Sequence, residues 1–245
     1  SSRLEGNTYS MLETARLLAT GDAATGRDPL ETQMILNHKR AIEYLVDPEG
    51  EIAFDRRTIL NVHALLSEYL VSDHNQSGRL RNEAVGIHGT SYIPESVPQL
   101  VEEHFAQLVR VGAAIQDPFE QAFFAMVHLP YLQPFIDVNK RVSRLAANIP
   151  LIRANVCPLS FVGTPTDLYV KGLLAIYELN RVELLRDVFE WSYDRSCARY
   201  AEQRQVLGDP DPFRLRYRQL VGETVAGVIR AKLDQAAAVG AVRKA

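Results

Sequence analysis

The sequence predicts an all-α fold, and three observations carry that expectation. Apolar residues recur at helical spacing through most of the chain, as in Met11, Leu12, Ala15, Leu18 and again in Ile59, Val62, Leu65, Leu66, Tyr69. Asp28-Pro29 and Asp117-Pro118 each set a capping carboxylate before a proline suited to a first helical turn. The composition is ordinary for a folded core: 245 residues, 47% hydrophobic, 14 Gly and 12 Pro.

Taken in order, helices are predicted around Met11 and over about 30–46, around Ile59 to Tyr69, and over 97–114, 118–129, 139–153, 166–177, 181–206 and 212–238. Gly208-Asp209-Pro210-Asp211-Pro212 is the strongest break. It divides a domain at 1–207 from a helical extension at 208–245. The segment 84–94, Ala-Val-Gly-Ile-His-Gly-Thr-Ser-Tyr-Ile-Pro, departs from the helical period. Its two β-prone runs around glycine predict a small β-hairpin, whose open edge suits a partner's strand. A covering loop is the plainer alternative.

The bulk properties exclude several classes. Lys and Arg number 27 against 30 Asp and Glu, a net charge of -3, which argues against nucleic-acid binding over the whole surface and leaves room for a local basic patch. No apolar run approaches the ~20 residues of a membrane span. The chain opens with Ser1, and nothing there resembles a signal peptide. Cys157 and Cys197 lack the density of a disulfide scaffold, so reduced thiols and a cytoplasmic location are expected. The six histidines show no metal-ligand spacing.

The densest chemistry lies in Gln133-Pro134-Phe135-Ile136-Asp137-Val138-Asn139-Lys140-Arg141-Val142-Ser143-Arg144. Asp137 or Asn139 can cap a helix with a buried stripe of Val142, Leu145, Ala146 and Ile149. Arg141 and Arg144, three apart, then share a face near the helix N-terminus, where positive charge opposes the dipole unless an anion sits beside it. A polyphosphate with Mg²⁺ would suit that place, and a solvated basic helix start is the bland alternative.

This segment resembles the signature of the Fic family, His-Pro-Phe-x-Asp/Glu-Gly-Asn-Gly-Arg-x-x-Arg. It matches at Pro134, Phe135, Asp137, Asn139, Arg141 and Arg144, and departs at Gln133, Val138 and Lys140, where the family has its His and two glycines. The resemblance extends upstream to Ser77-Gly78-Arg79-Leu80-Arg81-Asn82, and the hairpin that follows at 84–94 is similar to the family's target-binding flap, with Ile87, His88, Gly89 and Thr90. Ser1-Ser2-Arg3-Leu4-Glu5-Gly6-Asn7 resembles the family's Ser/Thr-x-x-x-Glu-Gly/Asn inhibitory motif.

The resemblance implies a helical domain that binds ATP or a related nucleotide with Mg²⁺ and transfers AMP to a hydroxyl side chain of a target protein docked on the flap. It assigns the metal to Asp137, the phosphates to Asn139, Arg141 and Arg144, and an inhibitory pair to Glu5 with Arg144. Gln133 stands where the family has its base. An amide has no useful basicity, and a positioned base supplies ~10²–10⁴-fold in rate, so ordinary AMP transfer should be impaired.

β-branched Val138 is expected to resist the positive φ that glycine permits, while Lys140 adds a cation that can meet phosphate. Gln133→His alone is therefore expected not to restore vigorous transfer. His128, five residues before Gln133, is a weak substitute base, and His88 is expected to be exposed. Three readings follow: an enzyme with altered chemistry, a non-catalytic module that binds a partner along the flap, or regulation through binding with a DNA-binding segment outside this sequence. Self-association is left open.

Overall fold

The computed structural model describes residues 2–47 and 50–207. The expected extension at 208–245, with its helix over 212–238, lies outside the described residues. The chain divides into a unit Ser1–Cys197 and a unit Ala198–Ala245. The account below concerns the first.

A short 3-10 helix, Ser2–Glu5, opens the fold. Nine α-helices follow among the described residues: α1 Met11–Thr20, α2 Pro29–Val46, α3 Arg56–Ser67, α4 Pro98–Ala114, α5 Pro118–Leu132, α6 Asn139–Ala146, α7 Asn148–Arg153, α8 Thr166–Leu179 and α9 Glu183–Leu207. The expected caps are in place. Asp28 accepts from Leu30 N, and Asp117 from Phe119 N and Glu120 N, each ahead of a proline at the helix start.

Helix α5 is apolar on nearly every side and lies between two cores, as such a helix must. One core gathers Leu45, Ile59, Val62, Phe105, Leu129, Phe135, Val142 and Ile149 from α2 through α7. The other gathers Leu4, Met126, Leu151, Tyr169, Leu173, Leu185 and Phe189, joining the N-terminal turn to α5, α7, α8 and α9. The predicted stripe of α6 and α7, Val142, Leu145, Ala146 and Ile149, is wholly buried.

Three expectations need correction. Helix α5 runs past Leu129 through Pro130 to Leu132, because the missing proline N–H costs one bond near the helix end while Gln133 N still reaches Leu129 O at 3.1 Å. The single helix expected over 139–153 is broken at Ala147, since Pro150 has no N–H to continue the ladder.

The segment 84–94 is not a β-hairpin. It makes a turn at His88-Gly89, with Gly89 at φ +84°, but no strand occurs there or elsewhere among the described residues. Side chains take over the anchoring that a ladder would supply. The buried Arg81 guanidinium donates to Glu83 O at 2.8 Å and to Glu95 O, fixing both ends of the segment. Thr90 Oγ1 donates to Glu178 of α8 at 2.9 Å, and the Tyr92 hydroxyl donates to Tyr131 O at 3.0 Å. The Tyr92 ring stacks on Tyr177.

Candidate functional site

The site is built on the turn between α5 and α6. Gln133 ends α5 in the left-handed region at φ +49°. Its carboxamide turns inward: Nε2 donates to Pro130 O at 2.7 Å and Oε1 accepts from Asn139 Nδ2 at 2.8 Å. Asn139 also donates to Phe135 O and accepts from Phe135 N, both at 2.9 Å, so its amide shapes the loop. Arg81 stitches the same turn to the 84–94 segment, donating from Nε to Gln133 O at 2.6 Å and from its backbone N–H to Pro134 O at 3.0 Å.

Phe135 is fully buried, and the His63 ring lies parallel against it with centroids 3.9 Å apart. His63 Nδ1 accepts from Gly78 N at 3.0 Å, which puts the ring proton on Nε2. Burial pulls His63 down to about 4, despite an opposing contact with the Asp137 backbone, so it is a neutral packing ring. It joins the Ser77-Gly78 turn to the signature loop.

Neither Asp137 nor Asn139 caps α6. The cap position is Val138, at φ +69°. This corrects the expectation that a β-branched residue would refuse the glycine conformation. The strain, on the order of 1–3 kcal/mol, is imposed by the surroundings. Val138 N donates to Asp137 Oδ1 at 2.6 Å, Val138 O accepts from Val142 N at 2.9 Å, and the side chain is 3% exposed within the first core. Lys140 lies in the first turn of α6 with helical backbone, so it carries no such strain.

Above this loop three cations gather, and the anion that their placement demands is Glu5, 139 positions before Arg144. Arg144 Nη2 donates to Glu5 Oε1 at 2.5 Å, and Lys140 Nζ lies 3.7 Å from Glu5 Oε2. Arg144 is 1% exposed. Its Nη1 donates to the Tyr169 hydroxyl at 2.9 Å, and its guanidinium lies over the Tyr169 and Phe161 rings. Burial alone would raise the Glu5 carboxyl, but the charges of Arg144 and Lys140 and the Arg144 hydrogen bond outweigh it and hold it below its ordinary value. Glu5 ends its 3-10 turn, with Gly6 at φ +85° stopping it and Gly6 N bonded to Arg3 O. Ser1 lies outside the described residues.

Arg141 is 7% exposed and its Nη1 is buried without a hydrogen-bond partner among the described residues. Burial depresses its basicity, which the Asp137 and Glu5 charges partly restore. A buried guanidinium N–H with nothing to donate to is costly and points to an anionic ligand. Asp137 itself is exposed, with one oxygen on Val138 N. Among the described residues no cluster of three or more His, Cys, Asp or Glu could hold a metal ion by itself.

His128 is not brought to this site. It packs on Phe124 and lines a cavity of about 550 Å³ with Tyr92, Glu95, His104 and Tyr131, which includes none of the residues from Asp137 to Arg144. On the 84–94 segment, Ile87 packs on the second core, His88 and Gly89 are exposed and Thr90 holds α8. Sequence reasoning missed Tyr169 and His63. Each is a polar ring on an otherwise apolar helix face, a weak signal.

Residues 53–151 match the model of the Fic/DOC family. The chain is 27% identical over 172 residues to "Protein adenylyltransferase Fic" of Nematostella vectensis, covering 65% of this chain and 38% of that protein. Other curated relatives are matched over about a third of their length, 31% for the Caenorhabditis elegans protein. In structure the chain is similar to Fic-1 of C. elegans, with a TM-score of 0.68 at 22% identity over 84% of this chain and 62% of that one. It is also similar to the BepC protein of Bartonella tribocorum with bound AMPPNP, with a TM-score of 0.52 at 16% identity over 67% of this chain and 87% of that one. No helix among the described residues is long and apolar enough to cross a membrane. The segment 53–151, which carries the loop from Gln133 to Arg144, is therefore a match to the Fic/DOC family.

Proposed function

We propose that the loop from Gln133 to Arg144 binds ATP or a related nucleotide with Mg²⁺, that Glu5 holds the cationic site closed, and that transfer of AMP to a target hydroxyl is impaired or altered. The observation that carries this is the pairing of buried Arg144 with Glu5 beside the Nη1 of Arg141, which has no partner among the described residues. That arrangement suits an anion larger than one carboxylate. Phosphates would meet Arg141, Arg144 and Lys140 once Glu5 withdraws, with Asn139 keeping the loop in shape. A relative with bound AMPPNP supports the ligand class.

Asp137 fits a magnesium ion bound through a single carboxylate and the ligand's own phosphates, since one of its oxygens is free of the backbone bond and the residue is exposed. The ion would neutralise phosphate charge there. Gln133 occupies the family's base position, but its oxygen already accepts from Asn139 and a carboxamide cannot take a proton from an attacking hydroxyl. The target would lie along 84–94, whose arms have no strand partner among the described residues.

Calorimetric titration with ADP or ATP and Mg²⁺ tests the binding. Ligand at about 100 times its dissociation constant should stabilise the fold by roughly 2.7 kcal/mol and raise the melting temperature accordingly. No heat and no melting shift at millimolar nucleotide, in the parent and in Glu5→Gly alike, would refute it. The non-catalytic reading is favoured by the engaged carboxamide of Gln133 and by arms of 84–94 that have no strand partner among the described residues. Transfer of label from α-labelled ATP to a protein in a lysate would decide against it.

A further inference from the structure

Glu5 divides its two carboxylate oxygens between two cations four residues apart on α6, and these cations are unlike. Arg144 is immobilised by the Tyr169 hydroxyl and two rings and is 1% exposed. The Lys140 side chain is 43% exposed, on a flexible four-carbon stem, and meets Glu5 Oε2 at 3.7 Å, where Arg144 meets Oε1 at 2.5 Å. The half-exposed ammonium can therefore follow either Glu5 or an incoming phosphate without disturbing the fold. Arg144 is fixed in place and can only change partners.

Resting on the nucleotide-binding reading above, we propose that Lys140 is an exchange cation: it latches Glu5 while the site is closed and passes to the polyphosphate of a nucleoside di- or triphosphate when Glu5 withdraws. Closure and ligand then compete for the same ammonium. A glycine at this position, which the family signature carries, could do neither. Inhibition in this chain thus has a second contact that the Glu5–Arg144 pair alone does not supply, and the loss of that contact on opening is offset by the ligand.

The test is a double-mutant cycle read by calorimetric titration of ADP with Mg²⁺ into the parent, Lys140→Ala, Glu5→Gly and the double variant. Glu5→Gln serves as the background should Glu5→Gly fail to fold. In the Glu5-less background Lys140→Ala should weaken ADP binding about three- to tenfold, the loss of one half-exposed charge-assisted contact. With Glu5 present the same change should cost less by about two- to fivefold, because the latch is loosened as the phosphate contact is lost. Lys140→Arg should keep most of both effects, and adenosine should show no loss in the Glu5-less background. An equal effect of Lys140→Ala in both backgrounds removes the latch, and no effect in the Glu5-less background removes the phosphate contact; either overturns the proposal while leaving nucleotide binding intact. Absence of ADP binding in all four proteins overturns the nucleotide reading itself.

Discussion

Glu5→Gln removes one charge and almost no volume, so it isolates what the carboxylate does for Arg144. The guanidinium is 1% exposed and cannot move to water, while the Glu5 side chain is 17% exposed. Breaking a fully buried pair costs about 3–5 kcal/mol. Here the cost should be nearer ~2–3 kcal/mol, because Gln keeps an acceptor, Tyr169 and two rings still face Arg144, and the Lys140 contact is half-exposed and worth little. For a chain of this length that corresponds to a fall of about 4–12 °C in melting temperature. The carboxyl is held below its ordinary 4.5, so its contribution is fully present above that value and is lost as pH falls through the lower, folded-state value. Differential scanning calorimetry of both proteins from pH 7.5 to pH 3 should show a full gap at neutral pH that begins to close near pH 5. A gap under 1 °C at pH 7.5, or one that persists unchanged at the lowest pH, would refute the pairing as a source of stability.

Arg81→Lys should destabilise the fold by about 2–4 kcal/mol, since a lysine cannot reproduce a planar fork that reaches Gln133 O, Glu83 O and Glu95 O together. Hydrogen exchange should speed up through 83–97 more than in α4 or α5, and uniform acceleration would show that Arg81 does not hold that segment. Gln133→His, in a Glu5→Gly background, should raise self-labelling from α-labelled ATP by up to ~10²–10⁴-fold. Because Val138 already holds a positive φ and Lys140 is helical, adding Val138→Gly and Lys140→Gly should gain little more. A triple variant exceeding Gln133→His by about 10²-fold, the scale of loss from a phosphate misplaced by an ångström, would restore the sequence-based view of an altered loop.

The parts legible in the sequence are those decided by neighbours a few residues away. Asp28-Pro29 and Asp117-Pro118 begin helices because cap and proline act within one turn, and the buried stripe of Val142, Leu145, Ala146 and Ile149 follows from period alone. Where the outcome rests on distant groups, local preference misled. Val85, Ile87, Tyr92 and Ile93 are β-prone, yet Arg81, Glu178 and Tyr131 secure their segment by side-chain bonds from outside it, and no ladder forms. Val138 disfavours its own φ, and its burial in a core with Leu45, Ile59, Phe105 and Leu129 overrules it. The Glu5–Arg144 contact could be anticipated only because two guanidinium groups at a helix start require an anion and a motif supplied one; Tyr169, which completes the pair, left no comparable trace.

The same contrast bears on the chemistry of the site. A loop that had only decayed would be expected to relax, with Val138 returning to negative φ and Arg141 turning to solvent, since both changes relieve a cost. Neither has happened: the strained backbone persists, and a guanidinium N–H stays buried without a partner among the described residues. Packing of Phe135 against His63 accounts for the loop's position but not for the buried Nη1 of Arg141. That unmet donor, next to a carboxylate whose partners are Arg144 and an exposed lysine, favours a site that exchanges Glu5 for a ligand over one kept for packing alone.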